Sequence, residues 1–252
     1  DSNPARWKGL LDKLLPAPGK VTKTTHFQAL PYAQLPVFME QLVGQEGMGA
    51  KALLFLILTA ARSGEVRGAT WEEIDLAARV WTIPAERMKA SKAHRVPLSD
   101  AAIALLQEMK ALALAAGRTT GKAYVFPSPN SRDPELGSQL SDMTLTAVLR
   151  RLKLEAVPHG FRSTFRDWCA EQTDYPNEVA EMALAHTVGN KVEAAYRRGD
   201  LLAKRQQLMQ DWADYAHGRR AENTTDGHSS APIASTRDNT ADQHNNTEGA
   251  MQ

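Results

Sequence analysis

Residues 52–61 (ALLFLILTAA) form the longest apolar run in the sequence. A membrane span needs ~18–20 such residues and this run is about half that, so it reads as a helix buried in a protein interior. A helix apolar on nearly all sides must be surrounded by other elements. The 252 residues, 42% of them hydrophobic, can supply those elements as one large domain or two modest ones. Collagen-like and wholly disordered classes are excluded by the same composition. The first seven residues, DSNPARW, lack the charged-then-apolar layout of a signal peptide. A single cysteine, Cys169, excludes an intrachain disulfide framework and a cysteine-based zinc site. The expectation is a soluble protein of a reducing compartment, with Cys169 a buried thiol without a role.

The formal net charge is +1, with 30 basic and 29 acidic residues. Residues 218–252 hold three of the basic and five of the acidic groups, leaving +3 on residues 1–217. Any binding to nucleic acid must then come from local clusters. The same last 35 residues have no Phe, Trp or Tyr, so 218–252 reads as a disordered polar tail. Its two Asn-x-Thr matches, at Asn223 and Asn245, read as chance occurrences in an Asn/Thr-rich stretch. Residues 1–30, broken by Pro16 and Pro18 among lysines, read as a linker or arm. Residues 31–217 are the folded domain.

Within it the periodicity is mostly helical. Helices are expected over 35–43 and 50–61, then from Ser63 as N-cap. Residues 79–84 and 95–98 read as two strands joined by a basic turn. Ser99 caps a long helix ending at Gly117, a C′ glycine. Residues 124–126 read as a short strand or extended segment. Ser141 caps a helix to about Leu154, and Pro158 precedes one over 159–172. Further helices start at Asn177, Lys191 and Leu201, the last ending at Gly218. The fold class is α+β, mainly α-helical, with a small antiparallel sheet.

P-loop, Rossmann, zincin and nucleophile-elbow signatures are absent, which removes those chemistries. What remains is basic and hydroxylic. In His159-Gly160-Phe161-Arg162 a helix puts His159 and Arg162 on one face, roughly 5–6 Å apart at Cβ. That pair suits one phosphate, and equally a surface histidine beside an ion-paired arginine. Arg62 at the end of the apolar helix, with Glu65 three residues on, reads as a second phosphate clamp or a structural ion pair. The inter-strand turn carries Arg87, Lys89, Lys92, His94 and Arg95, a solvated hairpin or a finger entering a DNA groove. Among the five tyrosines, local propensity does not single out Tyr196 over Tyr175 or Tyr215.

In order along the chain, Arg62, a hairpin lysine, H-x-x-R at 159–162, L-x-H ending at His186, and Tyr196 ten residues later resemble the tyrosine recombinase (phage integrase) family. The strings ILTAARSGEVRGATWEEIDL, VWTIPAERMK, HRVPLS and PHGFRSTFRDW resemble the P4-type integrases of satellite phages and genomic islands. The resemblance spans about Leu35 to Tyr215. It implies a tyrosine recombinase/type IB topoisomerase-like catalytic domain acting as a site-specific DNA recombinase. Tyr196 is then the nucleophile, forming a 3′-phosphotyrosine bond and freeing a 5′-hydroxyl. Arg62 and Arg162 clamp the non-bridging oxygens, and Lys89 protonates the leaving 5′-oxygen, with Lys92 its rival. His159 and His186 complete the pocket, and Glu65 orients the Arg62 region. Arg87, Lys92, His94 and Arg95 are expected to contact DNA.

The resemblance further implies no cofactor, metal or ATP, and double-stranded attachment sites as substrate. It implies a homotetramer on DNA, with an excisionase and a DNA-bending host factor as possible partners, no membrane, and a bacterial cytoplasmic, nucleoid-associated location. Family members usually carry DNA-binding domains before the catalytic one, so this chain reads as a catalytic fragment with weak, salt-sensitive DNA binding. Topoisomerase-like relaxation and a non-catalytic DNA-binding prophage remnant are the competing functions. The helix from Leu201 is expected to pack on its own domain, against a family tendency to dock on a neighbouring protomer.

Overall fold

The computed structural model describes residues 3, 8, 11–15, 27–186 and 199–219, all within one compact unit. The helix expected from Lys191, the nucleophile candidate Tyr196 and the tail beyond residue 219 lie outside the described residues.

The apolar run becomes α2, Met48–Thr59, preceded by α1, Leu35–Val43. Ala50 and residues 52–59 of α2 are all buried, so the helix is the axis of the domain. Burying each large aliphatic or aromatic side chain contributes about 1.5–3 kcal/mol, and α2 contributes several. The helix α3, Ser63–Arg67, follows at once. Next come α4, Asp100–Ala115; α5, Thr144–Arg151; α6, Gly160–Gln172; α7, Asn177–Ala183; and α8, Leu202–Ala216. Helices α1, α3, α4, α5 and α8 pack around α2. Trp212 of α8 is fully buried and donates its indole N–H to the Ile57 carbonyl of α2 at 2.7 Å. It meets Phe165 of α6 edge-to-face and Trp168 at a tilt in an aromatic cluster, so α8 packs on its own domain, as expected.

The sheet has three antiparallel strands in the order β1, Ile74–Asp75; β2, Val80–Ile83; and β3, His94–Pro97. The strands β2 and β3 are the two expected, in the register Trp81↔Val96 and Ile83↔His94. Strand β1 was not foreseen: two residues are too few to display a period of two. The Trp81 ring lies 5.2 Å from Phe55 and thereby fastens the sheet to α2. Residues 124–126 form no strand: Tyr124 makes a single bridge to Thr70, and the chain bends at residues 125 and 126.

Helix α4 ends as expected. The Ser99 hydroxyl accepts from the Ala102 N–H, and Gly117 takes φ 73° while Arg118 and Gly117 donate to Ala113 and Leu114. Two caps differ. Ser63 is the first residue inside α3, and Arg62 occupies the N-cap, because the Glu65 carboxylate reaches back to the Arg62 N–H at 2.8 Å. Ser141 opens a turn instead of a helix: its carbonyl accepts from the Thr144 N–H, and α5 begins only there.

Gly160, the second position of H-x-x-R, is a glycine for a steric reason. A Cβ there would sit 2.1 Å from the Gln28 carbonyl oxygen. Residues 28–30 cross this point closely, held by Val157 donating to the Gln28 carbonyl and the Thr164 hydroxyl donating to the Leu30 carbonyl at 2.6 Å.

Candidate active site

Two left-handed residues shape the site. Ala60, at φ 50°, ends α2 and turns the chain into Arg62. Ala185, at φ 49°, ends α7, with His186 donating to the Glu181 carbonyl and Ala185 to that of Met182. Non-glycine residues in this region are strained, and such strain clusters at functional sites.

Arg162 projects from the first turn of α6 and is 5% exposed. Its guanidinium donates to the Ala60 carbonyl at 2.6 Å and to the Leu184 carbonyl at 2.5 Å, and meets His186 Nε2 at 3.1 Å. Arg62 donates to Glu65 at 2.7 Å and reaches the same Leu184 carbonyl at 3.5 Å. Glu65 is 6% exposed and is spanned by the Arg62 backbone and side chain. The structure thus brings Arg62, Glu65, Arg162 and His186 together from three separate stretches of chain. Burial first, and the Arg62 charge second, pull the Arg162 pKa down to about 10. The group stays charged at neutral pH, and two facing guanidinium groups make a place that favours an anion.

His159 stands at the N-cap of α6, exposed, with its ring 4.6 Å from Phe27. Its pKa is lowered by burial and then by Arg162, Arg62 and His186, so the ring is neutral near pH 7. Lys89 and Lys92 lie exposed in the β2–β3 connection, with no side-chain partner among the described residues.

The other hairpin residues expected to contact DNA are engaged inside the chain. Arg87 turns back to pair with Glu73 and to donate to the Glu65 carbonyl. It braces the Arg62–Glu65 turn, and a buried carboxylate holds it away from solvent. His94 points inward, into a crevice lined by Thr59, Glu65, Val96, Arg162 and Ala183. Burial, then the Arg205 charge, lower its pKa to about 4, so it is neutral. Arg95 is on the outer face but is held in a two-pronged pair with Asp200, both contacts 2.8 Å.

Two groups were missed by sequence reasoning. Glu181 accepts from His186 Nδ1 at 2.7 Å and from Arg166 Nε at 2.5 Å. Arg205, 1% exposed, donates to Asp200 at 2.9 Å and to the Asp200 and Arg95 carbonyls. Arg205 had a signal: it falls on the apolar stripe of Leu201, Leu208, Met209 and Trp212.

The rival tyrosines are committed elsewhere. Tyr175 donates to Asp211 at 2.6 Å, and burial with that bond raises its pKa well above the usual phenol range. Tyr215 donates to the Tyr32 carbonyl, and burial raises it too. Cys169 is buried, its pKa pushed up to about 12 by desolvation. Among the described residues no group of three or more His, Cys, Asp or Glu is placed to hold a metal ion, and no helix is long and apolar enough to cross a membrane.

The chain is similar to known proteins. The chain is 38% identical over 185 residues to the prophage integrase IntA of Escherichia coli K12, covering 72% of this chain and 42% of that protein. It is 33% identical over 235 residues to the integrase of Enterobacteria phage P4, covering 85% and 49%. The chain therefore spans less than half the length of each of these relatives. Among solved structures it is similar to XerA recombinase, at 14% identity and a TM-score of 0.49 over 79% of this chain and 65% of that one. Residues 32–201, from the turn before α1 to the start of α8, match the phage integrase family model, and on that match and those identities the chain belongs to the phage integrase family.

Proposed function

We propose that this chain is the catalytic domain of a site-specific DNA recombinase, cutting and rejoining strands through a 3′-phosphotyrosine bond. The observation that carries the proposal is the convergence of Arg62, Arg162 and His186 on one point beside the Leu184 carbonyl. All three offer nitrogen to a ligand rich in negatively charged oxygen, which is what a phosphodiester presents.

In this reading the Tyr196 oxygen attacks phosphorus, the bond from phosphorus to the 5′-oxygen breaks, and Lys89 gives the departing oxygen its proton. Neutral His159 is suited to take the tyrosine proton. Arg62 and Arg162 bind the two non-bridging oxygens, whose charge grows in the transition state. Glu65 and Arg87 hold Arg62 in place. A 5′-hydroxyl from the partner strand then reverses the first step, so the bond energy is retained and neither ATP nor a metal is called for. Lys92 remains exposed for backbone contact, whereas Arg87, His94 and Arg95 serve the fold first. The engagement of Tyr175 and Tyr215 in other bonds supports Tyr196 as nucleophile. The relatives' names, prophage and phage integrases, support an element-integrating role; double-stranded attachment sites as substrate, a bacterial cytoplasmic location and a tetramer as the working assembly are part of the same proposal.

A nicked suicide duplex carrying the core site, incubated in EDTA and resolved on a denaturing gel, tests this. A covalent band in wild type that is lost in Tyr196→Phe is expected. A band that survives Tyr196→Phe, or that requires added metal, overturns the assignment.

A further inference from the structure

Glu181 lies on α7, five residues before His186, and the two are joined twice. The His186 backbone N–H donates to the Glu181 carbonyl at 2.9 Å, and ring Nδ1 lies 2.7 Å from the Glu181 carboxylate. The other carboxylate oxygen is fixed by Arg166, which also donates to Asn177 at the start of α7. The carboxylate is therefore held from both sides. Although burial pushes its pKa up, the bonds from Arg166 and His186 draw it below the ordinary carboxylate value, so Glu181 is ionised at neutral pH.

On its far side His186 presents Nε2 to Arg162, 3.1 Å away. A guanidinium has only N–H donors, so the nitrogen facing it must carry a lone pair. The ring proton then sits on Nδ1 and is donated to Glu181, the bonding partner of one nitrogen setting the state of the other. We propose that Glu181 is a positioning residue of the active site, fixing the orientation and the Nδ1–H tautomer of His186 so that Nε2 serves the reacting phosphate. This rests on the reading of Arg62, Arg162 and His186 as the phosphate site.

The arrangement has a chemical consequence. A phosphate held by Arg162 brings an oxygen up to Nε2, and a lone pair facing a phosphate oxygen is repelled. The ring cannot rotate away without breaking its bond to Glu181. Nε2 instead takes up a proton and donates to the phosphate, the imidazolium being balanced by the carboxylate behind it. The charged and titratable groups around His186 are Arg162, His159 and Arg166 from α6, Arg62 and Glu65 from the start of α3, and Glu181 from α7. Of the two carboxylates, Glu65 is paired with Arg62 and only Glu181 is bonded to the ring, where it favours the imidazolium directly.

Two measurements test this. The first needs no activity: long-range proton–nitrogen NMR of histidine-labelled, DNA-free protein, with His186→Gln to assign the signal. An Nδ1–H tautomer for His186 is expected, and an Nε2–H tautomer overturns the proposal even if the recombinase reading stands. The second is the single-turnover rate of suicide-duplex cleavage against pH, for wild type, Glu181→Gln, His186→Gln and the double variant. Glu181→Gln is expected to lower the rate roughly tenfold to a hundredfold, as loss of an orienting partner does. DNA affinity and melting temperature should stay close to wild type. The falling high-pH limb of the profile should move to lower pH, because a neutral amide does not balance the imidazolium. The double variant should be no slower than His186→Gln alone. An unmoved pH profile, or losses that multiply in the double variant, overturns the positioning role. Absence of any covalent band in wild type would instead count against the recombinase reading, with the tautomer measurement still deciding the Glu181 proposal.

Discussion

Arg62 and Arg162, a hundred residues apart in the chain, both reach the carbonyl oxygen of Leu184. One carbonyl cannot neutralise two cations, and the buried Glu65 engages only Arg62 directly. The site is assembled with unspent positive charge, and the lowering of the Arg162 pKa by Arg62 registers it.

The planar fork of Arg162 bonds Ala60 and Leu184 with two different nitrogens, which a lysine cannot do. Arg162→Lys should therefore fold but cleave a suicide duplex on the order of 10²–10³ slower. Single-turnover kinetics beside a thermal melt measure this. A variant that melts like wild type and cleaves within a few-fold of it would refute the clamp.

His94 is the clearest source of pH dependence in stability. Its pKa is about 4 when folded, against 6.5 for a free histidine. Between those values the unfolded chain binds the additional proton, so the stabilisation is intact above about pH 6.5 and is lost as pH falls towards 4. His159 and His217 are shifted in the same direction. Urea titrations across pH 4–7 should show stability falling with acid, by on the order of 2 kcal/mol from His94. In His94→Gln that slope should flatten. An equally steep slope would place the acid sensitivity elsewhere.

What the sequence made legible was what it encodes locally. The apolar run of α2, the Ser99 cap and the Gly117 stop each depend on neighbours within a turn or two, and each stands as read. Strand β1 escaped because two residues have no period. His94 was expected to contact DNA from the basic turn, although the period-two alternation from Val96 puts it on the inner face with that valine. Glu181 left no local trace: its link to His186 spans five residues and depends on the left-handed Ala185, which nothing in the residue type announces. The convergence at Leu184 is wholly tertiary. It follows from how the ends of α2 and α7 meet the start of α6.

Gly160 carries a steric prediction. Any Cβ at this position meets the Gln28 backbone, which is not a flexible side-chain tip. Gly160→Ala should cost about 1–3 kcal/mol, the usual penalty for overpacking, with residues 27–30 displaced and the Thr164 bond to Leu30 broken. Since His159 and Arg162 flank the glycine, cleavage should fall as well. A melting temperature unchanged from wild type would mean that the 28–30 segment does not hold this course in solution.

Asp200 ties α8 to the sheet. It receives Arg205 from within the core and Arg95 from β3, while Arg205 also donates to the Arg95 carbonyl. The contacts draw the Asp200 pKa below its ordinary value, against the upward push of burial. Removing the carboxylate leaves the guanidinium of Arg205, 1% exposed, without its counter-charge. A buried charge that loses its partner is expensive, but two backbone carbonyls still accept from Arg205, so Asp200→Ala should cost about 1–3 kcal/mol. Replacing both partners, as in Asp200→Ala with Arg205→Met, should recover part of that loss, because an apolar side chain suits the stripe of Leu208 and Trp212. Chemical denaturation of the single and double variants measures both effects. A double variant less stable than either single would show that Arg205 is held for its carbonyl bonds and not for its charge.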